Sequence, residues 1–158
     1  MKNRDGLENS DNWKTPDWLY NELDAELHFD FDPCPLDADF DGLVIPWGES
    51  NFVNPPYNRV DKPKFVEKAF REWSKGRGIA LLLPSATGTK QFHDLILPNC
   101  LCLSARDWGA DKAKYASTNL CIFLEGRIAF EGLNTKGEYV STGKGKHDSM
   151  LIILRKYF

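Results

Sequence analysis

The sequence predicts one α/β domain, an open and largely parallel sheet with helices on both faces. Three observations carry that expectation. The chain has 158 residues, the length of one domain with one sizeable core. Short apolar runs alternate along it with stretches of helical periodicity, the order expected of parallel strands joined by crossover helices. The run Ile79–Leu83 is apolar without interruption, as in a strand buried on both faces.

Residues 1–12 are polar and read as a flexible segment ahead of a domain over 13–158. Thr15-Pro16 suits a helix start, with Thr as N-cap and Pro in the first helical position. Leu19, Leu23 and Leu27 follow as one apolar stripe. His28–Asp32 alternates, with Phe29 and Phe31 on one face, and predicts a strand ending at Asp32-Pro33. Asn51–Val53 predicts a short strand running into Asn54-Pro55-Pro56-Tyr57. Phe65, Val66, Ala69, Phe70 and Trp73 mark an amphipathic helix opening near Pro63. The apolar run Ile79–Leu83 stops at Pro84-Ser85. A short helix is expected over 89–97, then strands at 100–104, 120–124 and 149–154, with one more at Arg127–Phe130. Residues 104–119 and 131–148 are polar and loop-like, and target recognition is expected there.

Composition narrows the function classes. Apolar residues make up 42% and charged residues 27%, which fits neither a disordered chain nor a membrane-embedded one. Ile79–Leu83 and Met150–Leu154 are among the longest apolar stretches, too short to span a bilayer. The first residues lack the apolar run of a signal peptide. Cysteines 34, 100, 102 and 121 therefore read as reduced thiols of a cytoplasmic protein. Cys100 and Cys102 alternate with Leu101 and Leu103, and no His stands at ligand spacing, so buried thiols are expected and not zinc. Asp37-Ala-Asp39-Phe-Asp41-Gly42 resembles the start of a calcium loop, but its twelfth position is Gly48 where a Glu is needed. His28, His93 and His147 are scattered, and no nucleophile–base pairing emerges.

The net charge of −3 hides an asymmetry. Residues 1–50 carry 3 Lys/Arg against 13 Asp/Glu, and residues 51–158 carry 17 against 10. The densest basic stretch, Arg59–Arg77, has seven basic residues and three acids. An acidic protein can thus present a basic face to a polyanion.

The turn Asn54-Pro55-Pro56-Tyr57 carries the chemistry. Two prolines fix φ and remove two backbone donors. The Asn54 side chain and the Pro55 carbonyl then offer two acceptors held close, with an aromatic ring two residues on. A planar group bearing an exocyclic amine fits: it donates one hydrogen to each acceptor and stacks on Tyr57. Drawing both hydrogens toward acceptors localises the nitrogen lone pair and makes it a better nucleophile.

This pattern resembles motif IV of S-adenosylmethionine-dependent amino-methyltransferases, and more closely the small phage-type DNA N6-adenine methyltransferase (Dam) family. The resemblance runs from about Trp13 to Leu154. Its landmarks are Trp13-Lys-Thr-Pro16, Phe29-Asp-Phe-Asp-Pro-Cys34, Gly42-Leu43 followed by Trp47, Asn54-Pro-Pro-Tyr57, Leu82-Leu-Pro-Ser85 and Gly126-Arg-Ile-Ala-Phe130. It implies a Rossmann-like fold, an enzyme that methylates a flipped adenine at N6, and S-adenosylmethionine as cofactor. It implies catalytic roles for Asn54, Pro55, Pro56 and Tyr57. It places Thr15, Pro16, Asp32, Pro33, Cys34 and Asn54 at the cofactor. No Gly-x-Gly loop follows the first strand; Asp32-x-Cys34 stands there instead. The partner implied is double-stranded DNA, in a phage role of protection from restriction. Arg59, Lys62, Lys64 and Lys68 are candidates for phosphate contacts, with Arg71, Lys75, Arg106, Lys144 and Lys146 behind them. A homodimer gripping both strands of a palindrome is a further expectation. Other readings stay open: another planar amine (an RNA base, cytosine N4 or a protein glutamine), a non-catalytic nucleic-acid-binding module, or a metal-dependent nuclease on the Asp37–Asp41 acids.

Overall fold

The computed structural model describes residues 14–36, 38–128, 131–133, 139–141 and 147–156. Helix α1 (Asp17–Leu27) precedes β1 (Ser50–Val53), α2 (Asp61–Ser74) and β2 (Gly78–Pro84). A π-helical turn, Phe92–Ile96, runs into α3 (Leu97–Asn99). Then come β3 (Leu101–Ser104), α4 (Ala105–Ala110), a 3-10 turn at Lys112–Tyr115, β4 (Leu120–Arg127), β5 (Glu131–Leu133), β6 (Tyr139–Ser141) and β7 (Asp148–Leu154).

Five strands form one sheet in the order β1-β2-β7-β4-β3, and β5 pairs with β6 in a separate two-stranded sheet. β1 lies parallel to β2, and β3 parallel to β4. β7 runs antiparallel to both β2 and β4. The sheet is therefore mixed, with four strands in one direction and a reversed one at its centre. The expectation of a largely parallel sheet is corrected at β7, whose apolar run Met150–Leu154 carries no mark of direction.

Strand residues alternate between two apolar clusters, as a period of two requires. Ile79, Leu81, Leu83, Met150, Ile152 and Leu154 join Phe65, Val66, Ala69 and Phe70 of α2. Ala80, Leu82, Leu151 and Ile153 join Leu19 and Leu23 of α1 and Trp108 of α4. No helix of the described residues is long and apolar enough to cross a membrane.

Several elements differ from the sequence expectation. The strand expected over His28–Asp32 is one parallel bridge, Phe31 to Asn51. His28 takes the left-handed conformation that caps α1, and Pro33 stops the chain five residues on, so little room is left to pair. The helix α1 is capped by Pro16, with no side-chain cap, and not by Thr15. Of the helix expected over 89–97, Thr89 Oγ1 accepts from the Phe92 N–H (3.1 Å), and a π-turn follows. The supposed loop 104–119 contains α4, started by Ser104, whose hydroxyl accepts from Asp107 N–H (3.0 Å). Arg127 closes β4 and starts no new strand, while residues 129–130 lie outside the described residues. Residues 1–12 also lie outside them.

Ile152 is fully buried at the centre of the sheet. Ile152→Ala is expected to cost about 2–5 kcal/mol of stability, read as a lower midpoint of urea unfolding.

Candidate active site

The parallel bridge at Phe31 and the parallel strands β1 and β2 bring three chain segments to one end of the sheet. These are Asp32-Pro33-Cys34, Asn54-Pro55-Pro56-Tyr57 and Pro84-Ser85. Ligands of open α/β sheets bind beyond these carboxyl ends.

Asn54 leaves β1 and its Nδ2 donates to Thr15 Oγ1 (3.1 Å). Thr15 is buried, and this bond occupies the hydroxyl that the sequence reading gave to the helix cap. With the nitrogen turned to Thr15, Oδ1 is the accepting end of the amide. The Tyr57 hydroxyl donates to the Leu82 carbonyl near the end of β2 (3.0 Å). Its ring stands edge-on to His147, with centroids 6.5 Å apart. Burial pushes the Tyr57 hydroxyl pKa upward, so the group remains a donor. Asn58 then starts α2: its Oδ1 accepts from the N–H groups of Val60 (3.0 Å) and Asp61 (2.7 Å). That turn leaves Arg59 and Val60 exposed.

Beside Asn54 lies a cleft of about 410 Å³, lined by Thr15, Tyr20, Asn21, Asp32, Cys34, Leu36, Phe52 and Asn54 among others. Tyr20 and Phe52 give it apolar surface, and Phe29 packs behind them with ring centroids 5.3–5.5 Å apart across the trio. Asp32 Oδ1 accepts from the Cys34 N–H (2.8 Å), which closes the turn. Burial raises the Asp32 carboxyl from 3.8 to about 6, against the lowering effect of that hydrogen bond. Burial, with Asp32, Asp61 and Asp41 adding, pushes the Cys34 thiol well up, so it stays protonated and is no nucleophile. Tyr20 is raised by burial, then by Asp24 and Asp32.

Thr15, Asp32, Cys34 and Asn54, drawn from sequence positions 15 to 54, thus line one cleft. Pro16 and Pro33 are buried next to them in the chain and shape the turns. Tyr20, Asn21, Leu36 and Phe52 were missed. For Tyr20 and Asn21 a signal existed: Asp17, Tyr20, Asn21 and Asp24 form a polar stripe beside the leucine stripe of α1.

Of the basic candidates, Arg59 and Lys64 are exposed and Lys62 is half-buried. Lys68 is corrected. It is buried, with Nζ donating to the Leu43 carbonyl (3.1 Å) and to the Ile45 carbonyl, and it is not available to a phosphate. Arg106 pairs with Glu125, and Lys75 with Glu72. Lys144 and Lys146 lie outside the described residues. Among the described residues no group of three or more His, Cys, Asp or Glu is placed to hold a metal ion.

A family model described as DNA N-6-adenine-methyltransferase (Dam) matches residues 4–158, nearly the whole chain. The chain belongs to this family. No curated protein and no solved structure matches it.

The cleft of this Dam-family protein makes a prediction about stability. Asp32 ionises near 6 in the folded chain and near 3.8 in the unfolded one. Its contribution is therefore full below about pH 4 and is lost as pH rises through about 6. Asp32→Asn is expected to melt higher than wild type at pH 7.5, with the difference closing below about pH 4. Thermal melts across that range check it.

Proposed function

We propose that this chain transfers a methyl group from S-adenosylmethionine to the N6 amine of an adenine flipped out of double-stranded DNA. The single observation that carries the reading is the Asn54–Thr15 hydrogen bond. Both residues it joins line the cleft that also holds Asp32 and Cys34, which supports Asn54 as the group that meets the amine there. Family membership supports the reaction class.

The size and charge of the cleft support this cofactor. Its volume falls in the range of small-molecule sites. The Asp32 carboxylate suits an ammonium or sulfonium, and the start of α1 beside Thr15 suits a carboxylate. Tyr20 and Phe52 give apolar walls to a thioether chain or an aromatic ring. When bound, S-adenosylmethionine supplies an electrophilic methyl group on a cationic sulfur.

The chain's own residues then act on the adenine. Asn54 Oδ1 and the Pro55 carbonyl each accept one N6 hydrogen, which turns the nitrogen lone pair out of conjugation and toward the cleft. Tyr57, fixed at its hydroxyl by Leu82, offers its ring to the base face. The nitrogen forms the new bond to the methyl carbon as the carbon–sulfur bond breaks, with its electron pair going to sulfur. The extra N6 proton passes to water. Catalysis is positioning and polarisation, without a covalent intermediate. Pro56 holds the turn closed behind these groups. Arg59 and Lys64, exposed just beyond Tyr57, and half-buried Lys62 would meet phosphates flanking the flipped base. A Rossmann-like sheet with helices on both faces belongs to this reading, and the division of the core into two clusters supports it.

Two experiments test the proposal. Purified protein, methyl-labelled S-adenosylmethionine and duplex DNA are expected to give labelled N6-methyladenine, lost on the order of a hundredfold or more in Asn54→Ala and strongly reduced in Tyr57→Ala. Label in RNA or protein instead moves the substrate. Cofactor affinity, read by calorimetry, is expected to rise as pH passes upward through about 6, because a cation favours ionised Asp32, and to be flat across that range in Asp32→Asn.

A further inference from the structure

Gly42-Leu43 and Trp47 stand out in the sequence, and the chemistry above uses none of them. In the fold they belong to the connection 41–48, between the Asp32 turn and β1. Lys68, in the middle of α2, reaches it. The side chain is 6% exposed, on the helix face shared with Phe65, Ala69 and Glu72. Its ammonium donates to the carbonyls of Leu43 and Ile45 and sits 5.5 Å from the centre of the Trp47 ring. Trp47 is buried in turn, and its Nε1 donates to the Gly42 carbonyl (2.7 Å).

Gly42 rests on the backbone of Pro33, where a Cβ would overlap the Pro33 carbonyl oxygen. The contacts thus run unbroken from Lys68 through Trp47 and Gly42 to Pro33, the residue between Asp32 and Cys34. At the far end Asn51 grips Gly48 from both sides, accepting from its N–H (2.7 Å) and donating to its carbonyl (2.9 Å). Burying an ammonium against carbonyls and a ring is costly, and a surface lysine would serve solubility better. The burial makes sense if the loop must be held in one place. The same helix begins at Asp61, four residues past Tyr57, so one rigid element follows the Asn54–Tyr57 turn and holds the 41–48 connection.

We propose that Lys68 is a positioning residue for the cofactor: it pins the 41–48 connection so that Gly42 backs Pro33 and sets the Asp32-Pro33-Cys34 turn. The inference rests on the assignment of the cleft to S-adenosylmethionine.

The test is calorimetry with S-adenosylmethionine and steady-state kinetics on wild type, Lys68→Met, Gly42→Ala and the double variant. Lys68→Met and Gly42→Ala are each expected to weaken cofactor binding and raise its KM by about tenfold or more. The KM for DNA is expected to hold, and kcat at saturating cofactor to change far less. The double variant is expected to be little worse than the worse single one, since both act through one turn. Unchanged cofactor affinity in folded Lys68→Met, or a loss confined to DNA binding, overturns the proposal. If Lys68→Met does not fold by circular dichroism, unchanged affinity in Gly42→Ala overturns it. Wild type that binds no cofactor fails the reading of the cleft itself and the inference with it.

Discussion

The hydrogen bond from the Asn54 amide to the Thr15 hydroxyl is the contact on which the site depends. It joins two segments that different parts of the fold hold. Thr15 is placed by α1, which docks through Leu19 and Leu23 on the cluster containing Phe52, Ala80 and Leu82. Asn54 is placed by β1, paired along its length with β2. The bond therefore ties the position of the Asn54 amide to the packing of helix on sheet. In the proposed reaction, that one contact makes the cofactor cleft and the acceptor for the amine neighbours.

Electrostatics divides along the same line. The acid-rich first fifty residues supply Asp32 to the cleft, where burial leaves its carboxyl poorly solvated and its pKa raised to about 6. That is a cost to the folded chain which a bound cation relieves. The basic stretch begins immediately past Tyr57, with Arg59 and Lys64 facing solvent. A buried carboxyl and an exposed basic stretch thus lie either side of the Asn54–Tyr57 turn.

Much of this was legible in the sequence, for physical reasons. Ile79–Leu83 showed β2 because a strand buried on both faces has no polar position. Asn54-Pro-Pro-Tyr57 showed the turn because two prolines leave the backbone few choices. Direction was not legible: β7 pairs antiparallel with both neighbours, and strand composition is blind to orientation. Phe29 and Phe31 alternated as in a strand, yet only Phe31 pairs, since the helix cap at His28 and Pro33 consume the flanks. Helix α4 was hidden in a polar stretch, although Ser104 three residues before Asp107 is a start signal. Lys68 reads in the sequence as a candidate for phosphate contact because lysines on helices usually face solvent. Its place three residues after Phe65 and four before Glu72, on the buried face, carried the contrary signal.

The most direct test of the account is the single-turnover methyl-transfer rate on duplex DNA in Thr15→Val and Thr15→Ser. The valine keeps the shape of threonine and removes the acceptor from Asn54, while serine keeps it. The account predicts a rate loss of about tenfold or more in Thr15→Val, the scale of about 1–3 kcal/mol for a polar partner removed, with Thr15→Ser close to wild type. A Thr15→Val rate equal to wild type would contradict it.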